Sequence, residues 1–186
     1  MTVNKLIISV TSLAVWLLVA AGCGNPDTAM MENVPAITEA VAVVHPVGES
    51  DVNGIIYFSK QEDVIKIVAD ITGLTPGKHG FHIHQYGDCS ATDATSAGGH
   101  FNPEGKPHGA PTDMDRHVGD LGNLDADETG HAHYERFDGI ISFEGSHSII
   151  GRGVIIHQGE DDLTSQPTGN AGARVACGVV GIAKPK

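Results

Sequence analysis

Histidine is the commonest metal ligand and the side chain that most readily changes charge near neutral pH, so its placement is informative. The chain carries eleven histidines, and six of them stand where they could hold metal. In Gly80-Phe81-His82-Ile83-His84 the two histidines are two apart. On a β-strand both imidazoles would then project from one face, while Phe81 and Ile83 project from the other. That is half of a square-planar nitrogen site on a single strand. His157 ends the run Gly153-Val154-Ile155-Ile156-His157 and can add a third nitrogen from a neighbouring strand. Imidazole nitrogens in tetragonal array suit Cu(II). A second cluster, His100, His108, His117 and Asp120, falls in one segment rich in glycine, aspartate and proline. Three imidazoles and a carboxylate make a closed tetrahedral set for zinc, a kind of site that pins a loop instead of performing chemistry. A zinc hydrolase is disfavoured, because no acidic residue flanks an open three-ligand zinc site as a general base. His45, His79, His131, His133 and His147 read as structural or exposed, with His79 placed to hold a loop carbonyl.

Such ligands need a rigid scaffold. From Ile37 onward short β-type runs recur between turn residues, including Ala40 to Val44, Gly54 to Ser59, Val64 to Ile71 and Val175 to Ile182. In the third run Ile65, Ile67, Ala69 and Ile71 share one face and Lys66 and Asp70 the other, the alternation of a half-buried strand. Helical periodicity is absent. With 24 glycines and 9 prolines, many of them in connections such as Thr72-Gly73-Leu74-Thr75-Pro76-Gly77, the expected fold class is all-β, an antiparallel sandwich or barrel. Two segments, Gly87 to Gly122 and Gly159 to Ala173, are too long for plain connections and hold the chemistry.

The start of the chain is of another kind. Lys5 precedes the apolar run Leu6 to Ala21, which has Ser9, Thr11 and Ser12 inside it. Shorter than the roughly 20 apolar residues of a membrane-spanning helix, the run reads as a signal peptide covering residues 1–22. Val19-Ala20-Ala21-Gly22-Cys23 resembles a bacterial lipobox, with Ala20 where that motif prefers Leu. Lipidation of Cys23 would tether the protein to a membrane outside the cytoplasm, with soluble secretion as the other reading. Residues 23–35 form a polar tether, and residues 36–186 one domain. Loss of residues 1–22 removes Lys5 and no acid, taking the net charge from −12 to −13. So acidic a chain is a poor partner for nucleic acid. With Cys23 lipidated, Cys89 and Cys177 remain, either as one disulfide or as two buried thiols.

Taken together, Gly80-Phe81-His82-Ile83-His84, His100-Phe101-Asn102-Pro103, His117-Val118-Gly119-Asp120-Leu121-Gly122-Asn123, Gly169-Asn170-Ala171-Gly172-Ala173-Arg174 and Cys177-Gly178 resemble the copper/zinc superoxide dismutase family, over about residues 38 to 183. The resemblance implies an eight-stranded Greek-key flattened barrel. It implies copper on His82, His84, His100 and His157, zinc on His100, His108, His117 and Asp120, and His100 shared by both ions. It further implies an Arg174 that guides the substrate anion, an Asp161 that links metal ligands through their outer nitrogens, and a Cys89–Cys177 bridge. The implied activity is disproportionation of superoxide to oxygen and hydrogen peroxide by redox-cycling copper beside a structural zinc. A non-catalytic copper-binding or copper-delivery protein of the same fold is the alternative. Two departures stand out. Cys89 follows His84 by five residues, as in many bacterial members, which rearranges the subloop Cys89 to Gly99 that shapes the dimer contact in the eukaryotic type; a homodimer stays open. The run Thr164-Ser165-Gln166-Pro167 replaces a longer loop with charged steering residues, so long-range steering should be weaker.

Overall fold

The computed structural model describes residues 36–184. The expected signal segment, Cys23 and the tether lie outside the described residues.

The described residues form nine strands: β1 (Glu39–Pro46), β2 (Asn53–Gln61), β3 (Val64–Thr72), β4 (Gly77–His84), β5 (Asp120–Ala126), β6 (Ala132–Asp138), β7 (Gly153–His157), β8 (Arg174–Val179) and the short β9 (Gly181–Ile182). All pairings are antiparallel, and eight strands follow the order β5-β4-β7-β8-β1-β2-β3-β6, with β9 pairing with β1. The sheet curls so that its edge strands β5 and β6 come together. Across that seam the Tyr134 hydroxyl of β6 donates to the Leu121 carbonyl of β5 at 2.9 Å. Chain-adjacent β3 and β4 are not neighbours in the sheet, which makes the connectivity a Greek key. Among the described residues only single 3₁₀ turns, at Thr95–Ala97 and Gly145–His147, interrupt the strands and loops.

The expected alternation holds. Ile65, Ile67, Ala69 and Ile71 are buried and Asp70 is exposed. Inward residues such as Ile56, Phe58, Ile67, Phe81, Ile83 and Leu124 fill the barrel, each large aliphatic or aromatic side chain contributing about 1.5–3 kcal/mol by leaving water. The run Val175 to Ile182 is divided into β8 and β9, and β5 begins at Asp120, inside the segment read as loop.

Strand β4 departs from half-burial, because its last six residues are all buried. Phe81 and Ile83 face the core. His82 and His84 face outward, yet are 0% and 1% exposed, because the segments 85–119 and 158–173 fold back over that side of the sheet. Cys89 is disulfide-bonded to Cys177, 88 residues away, tying the first segment to β8. Of the two readings of these cysteines, the bridge is the one found.

Candidate metal centre

Pairing of β4 with β7 and β5, and of β7 with β8, brings distant ligands together. The side chains of His82, His84, His100 and His157 are buried and offer one nitrogen each within 4.8 Å of one another. These are His82 Nδ1, His84 Nε2, His100 Nε2 and His157 Nε2, and none has a hydrogen-bond partner. Four orphaned buried polar atoms facing one another would be costly in a bare protein core. They are what a tetragonal nitrogen-liganded ion requires.

In three of these residues the other ring nitrogen is engaged by a group outside the two clusters. His82 Nε2 lies 2.7 Å from Asp161 Oδ2, His84 Nδ1 2.9 Å from the Gly98 carbonyl, and His157 Nδ1 3.1 Å from the Gly172 carbonyl. Since carboxylate and carbonyl oxygens only accept, these nitrogens carry the proton and leave a lone pair on the nitrogen facing the cluster. Burial, reinforced by neighbouring imidazoles, pushes His82 down to about 3 and His157 to about 4, and holds His84 well below its usual value. All three are neutral donors at physiological pH.

His100, His108, His117 and Asp120 form the second buried set. Here the carboxylate is the hub: Asp120 Oδ1 lies 2.8, 3.0 and 3.1 Å from the Nδ1 atoms of His100, His108 and His117. Burial alone would raise the Asp120 carboxyl, but these imidazole contacts hold it far below the usual carboxylate range. Its other oxygen accepts the backbone N–H groups of Gly109 and His117. His100 thus turns Nδ1 to this set and Nε2 to the first. For His108 burial is outweighed by Asp120 and Asp161, which lift it to about 9. The set fits one tetrahedral ion with no open position.

Asp161, 1% exposed, receives His82 Nε2 on one oxygen and His108 Nε2 on the other, at 2.7 and 2.9 Å. One carboxylate therefore joins a histidine of each set. Gly169 permits the approach: at φ 67° it is in the left-handed region, and a Cβ there would stand 1.8 Å from Asp161 Oδ1. The neighbouring acids are used elsewhere, Glu160 in an ion pair with Lys78 and Asp162 in accepting the Thr164 and Ser165 N–H groups.

Arg174 lies opposite His157 in the β7–β8 ladder. Its guanidinium donates to the Ala94 carbonyl and, at 2.6 Å, to the Gly98 carbonyl. Gly98 O thus holds both Arg174 and His84 of the first set, fixing the cation beside that cluster. His79 spans the Thr75 and His157 carbonyls, as expected of a loop-holding residue.

Three features of the centre carry little sequence signal. Arg116, 2% exposed, donates to the carbonyls of His117, Val118 and Asp120 and pairs with Asp138. Asn123 binds both the N–H and the C=O of Asp161. The Gly98 and Gly172 carbonyls orient ligands without any side chain to mark them. Of these Asn123 and Gly172 lie in stretches singled out by motif.

Residues 52–180 match the family model described as copper/zinc superoxide dismutase. The chain is 44% identical over 167 residues to the extracellular superoxide dismutase (Cu-Zn) of Brugia pahangi, covering 85% of this chain and 83% of that one. It is 49% identical over 156 residues to the superoxide dismutase (Cu-Zn) of Schizosaccharomyces pombe, covering 79% and 99% of the two chains. The solved structure titled "Crystal Structure Analysis of the clock protein EA4" superposes with TM-score 0.74 at 44% identity, over 81% of this chain and 98% of that one. With this barrel and these histidines, the chain belongs to the copper/zinc superoxide dismutase family.

Proposed function

We propose that His82, His84, His100 and His157 hold the copper of this superoxide dismutase, and that His100, His108, His117 and Asp120 hold its zinc. The observation that carries the reading is the convergence of four buried imidazole nitrogens with no other partner. The enzyme converts two superoxide anions and two protons to oxygen and hydrogen peroxide. Bound copper supplies the one-electron couple, and zinc supplies a fixed charge and geometry. The chain supplies the rest. Arg174, permanently cationic and planar, draws a small anion to the copper set in a protein of net charge −12. His100, kept in place through Nδ1, can carry a proton at Nε2 and deliver it to a departing peroxide. Asp161 orients His82 and His108 together. Copper delivery without turnover is disfavoured, because all four nitrogens and Arg174 are in place. The test is His157→Ala: dismutation should be lost while one equivalent of zinc is retained, since His157 belongs to the first set alone. Wild-type turnover with full copper loading would overturn the assignment.

Export fits the same reading. The Brugia pahangi relative is an extracellular enzyme, and the Cys89–Cys177 disulfide suits an oxidising compartment. Support for a membrane anchor comes from Val19-Ala20-Ala21-Gly22-Cys23 and the polar residues after it, a bacterial lipoprotein arrangement dividing the chain into 1–22, 23–35 and 36–186. Cys23→Ser should abolish incorporation of labelled fatty acid; unlabelled parent protein released without detergent would mean plain secretion. A second copy would pack on the apolar face of Val43, Val179 and Ile182, which are 47%, 41% and 64% exposed, and sedimentation would show it.

A further inference from the structure

The segment carrying His108 lies outside every strand, so no sheet ladder fixes its backbone. Its hold comes from an unexpected quarter. The Gln166 side chain lies alongside His108, with Oε1 accepting the His108 N–H at 2.8 Å and Nε2 donating to the His108 carbonyl at 2.9 Å. One amide thus satisfies both backbone groups, much as a neighbouring strand would. Gln166 is itself braced. Asp162 Oδ1 accepts the Thr164 and Ser165 N–H groups, the Gly169 N–H donates to Ser165 O at 2.7 Å, and the Asp162 N–H donates to Gly169 O at 2.9 Å. Asn123 grips the backbone of Asp161 in the same two-point manner. The segments 100–123 and 159–173 are therefore cross-braced in both directions, an amide from each holding the backbone of a buried residue in the other.

We propose that Gln166 is a positioning residue for the zinc set: its two-point grip on the His108 backbone aims Nδ1 at Asp120 and couples the short Thr164 to Pro167 segment to the metal. The short segment, which lacks charges for steering, thereby acquires a mechanical role. The inference rests on the zinc assignment of His108 made above. Loss of an outer partner that orients a metal ligand typically weakens metal binding about 10- to 100-fold, and the backbone brace is placed at the lower end of that range.

The test uses copper-free protein. Zinc affinity is measured by competition with a chromophoric chelator, and Co(II) is bound in zinc's place as a reporter of site geometry through its visible absorption. Gln166→Met keeps the volume of the side chain and removes both hydrogen bonds; Gln166→Ala removes both and the volume. Both variants should bind zinc about tenfold more weakly, and both should change the Co(II) spectrum. A merely structural residue would lower the unfolding midpoint of the metal-free protein and leave affinity and spectrum alone. Affinities within twofold of the parent, with an unaltered Co(II) spectrum, would overturn the proposal. His108→Ala tests the underlying reading separately: if it binds zinc like the parent, the zinc assignment falls and the brace falls with it.

Discussion

Asp138→Ala should be among the most destabilising single changes in the barrel, and the structure indicates by how much. Arg116 is 2% exposed and Asp138 1% exposed. Their ion pair ties the loop that precedes β5 to the last residue of β6. One arm of the guanidinium, Nη1, gathers the carbonyls of His117 at 2.9 Å, Val118 at 3.3 Å and Asp120 at 2.9 Å. Asp138 Oδ1 in turn accepts the Ile140 and Ile141 N–H groups at 2.8 and 3.1 Å. Truncation leaves a buried cation without its counter-charge, which costs about 3–5 kcal/mol. It also strips two backbone donors of their acceptor. At about 2–4 °C per kcal/mol for a domain of this size, the metal-free protein should unfold about 6–20 °C lower. Differential scanning calorimetry with the disulfide intact measures this. Asp138→Asn, which keeps the shape and one acceptor, should lie between parent and Asp138→Ala. The double variant Arg116→Met/Asp138→Leu should recover much of the loss, because it leaves no charge buried. A loss under about 1 kcal/mol for Asp138→Ala, below the cost of a single stranded buried polar group, would refute the reasoning.

Arg174→Ala should lower the dismutation rate at least several-fold with copper and zinc content unchanged, and Arg174→Lys should keep more of it, since a point charge still attracts an anion. Because attraction is screened over about 8–10 Å at ordinary salt, the parent should slow with ionic strength and the Ala variant should respond less; equal rates and equal salt slopes for all three proteins would remove Arg174 from the mechanism. Tyr134, packed edge-on against Phe81 at 5.4 Å between ring centres, has its phenol pushed well above the usual tyrosine value by burial. A folded-state value above the unfolded one makes its contribution to stability complete below about pH 10 and lost as pH rises through the raised value, so folded Tyr134→Phe and parent should give the same tyrosinate absorbance at 295 nm through the titration of exposed tyrosines near pH 10. An earlier difference would show that the seam opens.

The chemistry was legible in the sequence because it depends on local spacing. His82 and His84, two apart on a strand, must share a face, and the alternation from Val64 to Ile71 must bury one side. The resemblance carried by the motifs around His100, His117 and Arg174 supplied the expected ligand sets. The resemblance named Asp161 too, although spacing alone does not single it out: Glu160, Asp161 and Asp162 are adjacent, and it is the fold of 159–173 that buries Asp161 between His82 and His108 while the other two face water. The ring nitrogen that each histidine presents follows from the Gly98 and Gly172 carbonyls and from Asp161, and backbone carbonyls have no residue identity to read. Arg116 and Gln166 were likewise silent, since a charged residue in a loop is ordinarily solvated and a glutamine in a turn is ordinarily free. Residue types and short-range periodicity are properties of the chain and can be read along it. Strand order, desolvation and the convergence of nitrogens from β4, β7 and a loop are long-range consequences of closing the sheet, and they exist only once the barrel has formed.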